Sequence, residues 1–123
     1  MTRDEFRTRT FRFGVRCIRL AESLPKSLAA QIAAKQLIRC ATSVGANYRA
    51  AIRGRSRGDF VSRMGIVEEE CDEALYWIEV ILELALVPAA RTSELQREAN
   101  EILAIAVSSI KTARKNSKSQ TPT

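Results

Sequence analysis

Phe60-Val-Ser-Arg-Met-Gly-Ile-Val-Glu-Glu-Glu-Cys-Asp-Glu-Ala-Leu-Tyr-Trp-Ile-Glu-Val-Ile-Leu-Glu-Leu-Ala85 decides the fold. Within it Phe60, Met64, Val67, Cys71, Ala74, Ile78, Ile81 and Ala85 recur at intervals of three and four. That spacing keeps one face of a 3.6-residue helix apolar, and the two-residue alternation of a strand is absent. It predicts a helix over residues 57–86, a rod of about 44 Å at ~1.5 Å per residue. Ser56-x-x-Asp59 at its start resembles a capping box, with Asp in place of the usual Glu.

The same spacing extends outward in both directions. Pro25, Pro88 and the stretch Gly54-Arg-Ser-Arg-Gly58 divide the chain. Helix one is predicted over residues 5–23, with Phe11, Val15 and Ile18 on its apolar stripe and Gly14, Cys17, Ala21 and Leu24 beside it. Helix two covers 27–53, with Leu37, Ala41, Val44, Tyr48 and Ala51. Helix four covers 94–113, with Leu95, Ala99, Ile102, Ala106, Ile110 and Ala113, and Ser93-x-x-Gln96 is its expected cap. Four amphipathic helices on short connections predict an all-α, antiparallel up-down four-helix bundle over 1–113. A polar, basic, frayed tail is expected at 114–123.

Composition narrows the chemistry. The chain has 123 residues, 46% apolar and 28% charged, which suits one globular domain. It has no histidine, so serine triads, Cys-His dyads and Glu-x-x-His di-iron sites each lack a required part. Cys17, Cys40 and Cys71 are odd in number and form no C-x-x-C pair. A disulfide framework is therefore not expected, and buried thiols in a reducing cytoplasm are. No signal-peptide run opens the sequence, and no stretch approaches the ~20 apolar residues of a membrane span. No cofactor and no metal are expected.

Twenty basic side chains face fourteen acidic ones, a net charge of +6, which favours acidic partners. The charges are segregated. Residues 26–58 hold seven basic and no acidic side chains, and residues 59–88 hold one basic and eight acidic. Helix one carries a cationic line, Arg9, Arg12, Arg16 and Arg19. Helix two carries Lys35, Arg39, Arg49 and Arg53, the following loop Arg55 and Arg57, and the C-terminus Lys111, Arg114, Lys115 and Lys118. Such a surface suits phosphates. Helix two has a competing use, pairing with acidic helix three, with Arg49 and Arg53 set against Glu69 and Glu73. Helix one and the C-terminus are expected to stay free.

A polar stripe, Gln36, Cys40, Ser43, Asn47 and Ala50, runs beside the apolar face of helix two. Ser43 and Asn47 are candidates for an interhelical hydrogen-bond network. Tyr76 and Trp77 are expected as core or interface anchors. Glu69, Glu70 and Glu73 spell E-E-x-x-E, a motif similar to the Mg²⁺ site of all-α nucleoside triphosphate pyrophosphatases. The E-x-x-D which that site also needs is missing, and only Glu98-x-x-Glu101 stands in its place.

Gln36-Leu-Ile-Arg-Cys-Ala-Thr-Ser-Val-Gly-Ala-Asn47, then Ser56-x-x-Asp-Phe60, then Glu69-x-x-x-Glu73-x-x-Tyr-Trp77 is a distinctive combination. It resembles the family called four helix bundle protein, related to proteins encoded in intervening sequences of bacterial 23S rRNA. The matching positions are Gln36, Leu37, Arg39, Ser43, Ala46, Asn47, Ser56, Asp59, Phe60, Glu69, Glu73, Tyr76 and Trp77. A more distant similarity is to the accessory protein of diversity-generating retroelements. The resemblance implies a ring of identical bundles, commonly a homopentamer, without enzyme activity and with RNA association. Two positions depart from the family pattern. Ala50 stands where a Glu is usual, and Ala74 where a Thr is usual.

Together these readings predict a cytoplasmic, non-enzymatic, homopentameric bundle that binds RNA or DNA through Arg9, Arg12, Arg16, Arg19, Arg49, Arg53, Arg55, Arg57, Arg114, Lys115 and Lys118. The alternatives are a protein-interaction ring without nucleic-acid binding and the Mg²⁺-dependent pyrophosphatase.

Overall fold

The computed structural model describes residues 1–119, with side chains described through Asn116. It forms four helices and, among the described residues, no strand: α1 Arg3–Glu22, α2 Leu28–Ile52, α3 Arg57–Glu83 and α4 Ala89–Ser119. α1 packs on α2, α2 on α3 and α3 on α4, and a thinner seam closes α4 against α1. Connections of four or five residues leave neighbouring helices antiparallel. Contacts between helices confirm the direction. Phe6 meets Tyr48 while Gly14 meets Ala41, and Arg9 meets Glu98 while Arg16 meets Glu94.

Three helix starts are fixed by side-chain caps. The Thr2 hydroxyl accepts the Glu5 N–H at 3.1 Å, and the Thr2 N–H donates back to the Glu5 carboxylate at 3.2 Å. Ser27 accepts the Ala30 N–H at 3.2 Å, and Ser56 the Asp59 N–H at 3.1 Å. The expected return arm of the Ser56 box differs, because the Asp59 carboxylate accepts the Arg55 N–H at 3.3 Å. Gly54 leaves room for that contact, since a Cβ would lie 2.7 Å from the carboxylate and displace it.

Phe13, Leu37, Met64, Ile78, Ile81 and Ile102 fill the fully enclosed core, with every helix contributing. The stripes expected for α2 and α4 enter it, from Leu37 to Ala51 and from Leu95 to Ile110. Gly45 brings α1 and α2 together, because its Cβ position lies 3.3 Å from the Thr10 backbone.

The buried face of α1 is not the expected one. Phe11 is 53% exposed and Val15 and Ile18 are half-buried, while Phe6, Phe13, Cys17 and Leu20 point inward. The helix carries two adjacent apolar stripes, and the bulkier one, with two phenylalanines and a leucine, takes the core. Thr10 lies on this face, its hydroxyl satisfied by the Arg7 carbonyl at 3.1 Å.

Helix ends also moved. α3 stops at Glu83, because Ala85 adopts a left-handed φ of 50°. The Leu86 N–H then reaches the Ile81 carbonyl at 3.2 Å, which closes the last turn. Ala85 therefore leaves the stripe and is exposed. α4 begins at Ala89, directly after Pro88, so Ser93 and Gln96 lie inside the helix and form no cap. Proline is preorganised for a helix start, which explains the earlier boundary. α4 continues through residues 114–119, and residues 120–123 lie outside the described residues.

All three cysteines are buried and unpaired. Burial pushes the Cys40 and Cys71 thiols up to about 12 and raises Cys17 as well. A thiolate-selective reagent at neutral pH should leave the native protein unlabelled and label all three sites in denaturant. Rapid native labelling would contradict this packing.

Candidate nucleic-acid interface

At one end of the bundle, the start of α1, the end of α2, the start of α3 and the C-terminal half of α4 surround an open groove of about 760 Å³. Arg3, Arg55 and Arg57 line it and, among the described residues, no carboxylate does. Phe60 supplies an aromatic wall, with the Arg3 guanidinium 5.2 Å from its ring centroid. Tyr48 and Phe6 meet edge to face beside it at 4.7 Å. Ser108, Ser109 and Thr112 contribute a row of hydroxyls from α4. Lys111, Arg114 and Lys115 are exposed on the same C-terminal part of α4.

The nearest acid in the loop is already engaged. Asp59 accepts from the Arg55 N–H and from the Arg63 guanidinium at 3.3 Å. The Arg53 guanidinium donates to the Arg49 carbonyl at 3.3 Å and stays exposed. Arg55 and Arg57 are exposed and, among the described residues, form no ion pair. The Lys118 side chain lies outside the described residues.

The helix-one line, expected to be wholly free, divides in two. Arg9 makes a two-pronged bond to Glu98, at 2.9 and 2.6 Å, and reaches Glu101 at 3.4 Å. Arg16 pairs with Glu94 at 3.1 Å. These contacts form the charged part of the thin α1–α4 seam. Arg12 and Arg19 are exposed and make no such pair among the described residues.

Glu98 is half-buried, and the Arg9 bond holds its carboxyl below the ordinary 4.5. Stability from this pair is therefore present above that value and is lost as pH falls through the lowered one. The structure predicts that Glu98→Gln costs about 1–2 kcal/mol at pH 7. The cost should shrink towards pH 3. A variant penalty independent of pH would contradict the pairing.

On the other side, Arg39 joins α2 to α3. It bonds the Glu73 carboxylate, approaches Glu70 at 3.4 Å and donates to the Gln36 amide oxygen at 3.2 Å. Glu73 is thus taken by Arg39, not by Arg49 or Arg53. Arg49 lies over the Phe11 ring instead, 5.4 Å from its centroid. Two carboxylates of the E-E-x-x-E motif are held by one guanidinium, and Glu69 faces outward. Among the described residues, no three Cys, Asp or Glu side chains converge on a metal site.

The expected interhelical network through Ser43 and Asn47 stays within α2. The Asn47 amide donates to the Ser43 carbonyl and hydroxyl, both at 2.8 Å. Tyr76 is 57% exposed, while Trp77 packs half-buried against the core, and their rings meet edge to face at 5.1 Å. Arg3 was not singled out by sequence. It stands beside Asp4 and Glu5, of which Glu5 is committed to the Thr2 cap.

Four antiparallel helices packed in a closed cycle, with exposed cations at one end and along α1 and an acidic third helix, define a four-helix bundle of net basic charge. The family described as 23S rRNA-intervening sequence protein matches residues 5–108, and the chain belongs to that family. A crystal structure from Bacteroides thetaiotaomicron is similar at 28% identity, with a TM-score of 0.80 over 86% of this chain and 98% of that one. That protein is described as of unknown function, from the S23 ribosomal protein family. Comparison with curated proteins gives no match. Among the described residues, no helix is long and apolar enough to cross a membrane.

Proposed function

We propose that this protein is a non-enzymatic, cytoplasmic homopentamer that binds RNA or DNA phosphates at the basic end of each bundle. The observation that carries the reading is the groove lined by Arg3, Arg55 and Arg57 without a carboxylate. Guanidiniums donate paired N–H bonds to phosphate oxygens and release condensed counterions. Lys111, Arg114 and Lys115 extend that field along α4. Arg9, Arg16 and Arg39 belong to the bundle's own ion pairs and are not phosphate ligands in this reading.

Assembly is supported by two unlike outer faces. The α1–α2 face presents Phe11, Val15 and Ile18 beside Arg12, Arg19 and Arg49. The exposed stripe of α3 carries Ile66, Glu69, Asp72, Tyr76 and Glu79. Such faces complement each other head to tail, the geometry that closes rings. The number five comes from the family resemblance. Repeated sites on a ring multiply weak phosphate contacts by avidity.

Fluorescence anisotropy with labelled RNA and duplex DNA, together with mass by light scattering, tests both parts. Submicromolar binding at moderate salt by a particle of five chains is expected. An intact oligomer that binds neither nucleic acid would overturn the phosphate reading and leave a protein-interaction ring. A monomeric mass would overturn the ring.

A further inference from the structure

We propose that the end groove is a pocket for one unpaired nucleotide of a strand, so that the protein prefers single-stranded nucleic acid to duplex. This inference rests on the phosphate reading and names what enters that site. A flat cationic patch would serve duplex phosphates, but the end of this bundle is concave and mixed in chemistry. Its volume of about 760 Å³ lies within the range of small-ligand sites. Apolar and aromatic groups form its wall, with the Arg3 guanidinium carbon over the Phe60 ring, 5.2 Å from its centroid. Rings and guanidinium planes are the surfaces on which splayed bases stack, and they are sequence-tolerant.

The polar groups fit the rest of a nucleotide. Arg55 and Arg57, beside the Ser56-capped start of α3, offer donors for a phosphate. Ser108, Ser109 and Thr112 on the opposite wall offer hydroxyls, which can pair with a sugar or a base edge. Among the described residues, an anion meets no carboxylate in the lining. A paired base keeps its faces stacked inside a helix and cannot present them to this wall. An unpaired one can, at the cost of little or no unstacking.

The test uses the full-length oligomer and a labelled, 5′-phosphorylated ribonucleotide 12-mer, free and annealed to its complement. Phe60→Leu removes the aromatic wall, keeps an apolar side chain against the core and leaves the charge of every cation in place. The expected result is at least tenfold tighter binding of the free strand. Phe60→Leu should cut that preference at least threefold, read as the ratio of the two affinities. Equal affinity for both forms, or a ratio untouched by Phe60→Leu, would overturn the nucleotide pocket and leave the phosphate reading standing. No binding of either form would overturn both. Adenosine monophosphate should displace the strand only at a far higher concentration. Displacement at comparable concentration would overturn the assignment to a strand and make the groove a free-nucleotide site.

Discussion

Phe13→Ala should cost about 3–5 kcal/mol of folding stability, the usual penalty for emptying a phenylalanine site in a closed core. Phe13 is fully buried on α1. A domain of this kind has only about 5–15 kcal/mol in total, so the variant should be barely folded at physiological temperature. Phe11→Ala, two residues earlier, removes the same ring from a position 53% exposed. Its effect should be much smaller and should fall on assembly, because Phe11 lies on the face assigned to the ring contact. Thermal melting by circular dichroism separates the two. A larger loss from Phe11→Ala would mean that α1 is rotated from the orientation described.

The second large effect concerns binding. Arg55→Ala with Arg57→Ala should weaken RNA and DNA binding at least tenfold at moderate salt and leave the melting temperature nearly unchanged. Both side chains are exposed and form no ion pair among the described residues, so the fold loses little without them. Arg12→Ala with Arg19→Ala makes the matched comparison. It removes as much charge from the α1 face and should alter ring mass more than affinity per site. If the α1 pair alone abolishes binding in an intact oligomer, the site lies on the side of the bundle and not at its end.

Much of this architecture was legible in the sequence. The α3 stripe from Met64 to Ile81 is buried as its periodicity predicts, with Leu75 joining it from the neighbouring position. α1, by contrast, was ambiguous. Phe11-Val15-Ile18 and Phe6-Phe13-Cys17-Leu20 are adjacent stripes, and only packing against α2 at Gly45 decides between them. Ser93 illustrates a local signal overridden by a stronger one, since Pro88 starts α4 before the expected cap is reached.

The charge pattern was legible as a total and not as a map. Sequence left pairing between a basic α2 and an acidic α3 as one of two uses of those charges, through Arg49 and Arg53, and the structure makes the contact through Arg39 with Glu70 and Glu73 instead. Sequence could not show that Arg9 and Arg16 would meet Glu98 and Glu94, because those partners lie 89 and 78 residues apart. The end groove was invisible for the same reason. Arg3, Arg55 and Ser108 come together only when the helix ends converge.

The most direct test is the salt dependence of RNA binding by the unmodified oligomer and by the Arg55→Ala, Arg57→Ala variant. Log affinity should fall linearly with log salt, and the variant's slope should be shallower by about 1.4 per site, the share of two phosphate contacts on a single strand. Identical slopes, or binding insensitive to salt, would contradict a phosphate-binding site at the basic end of the bundle.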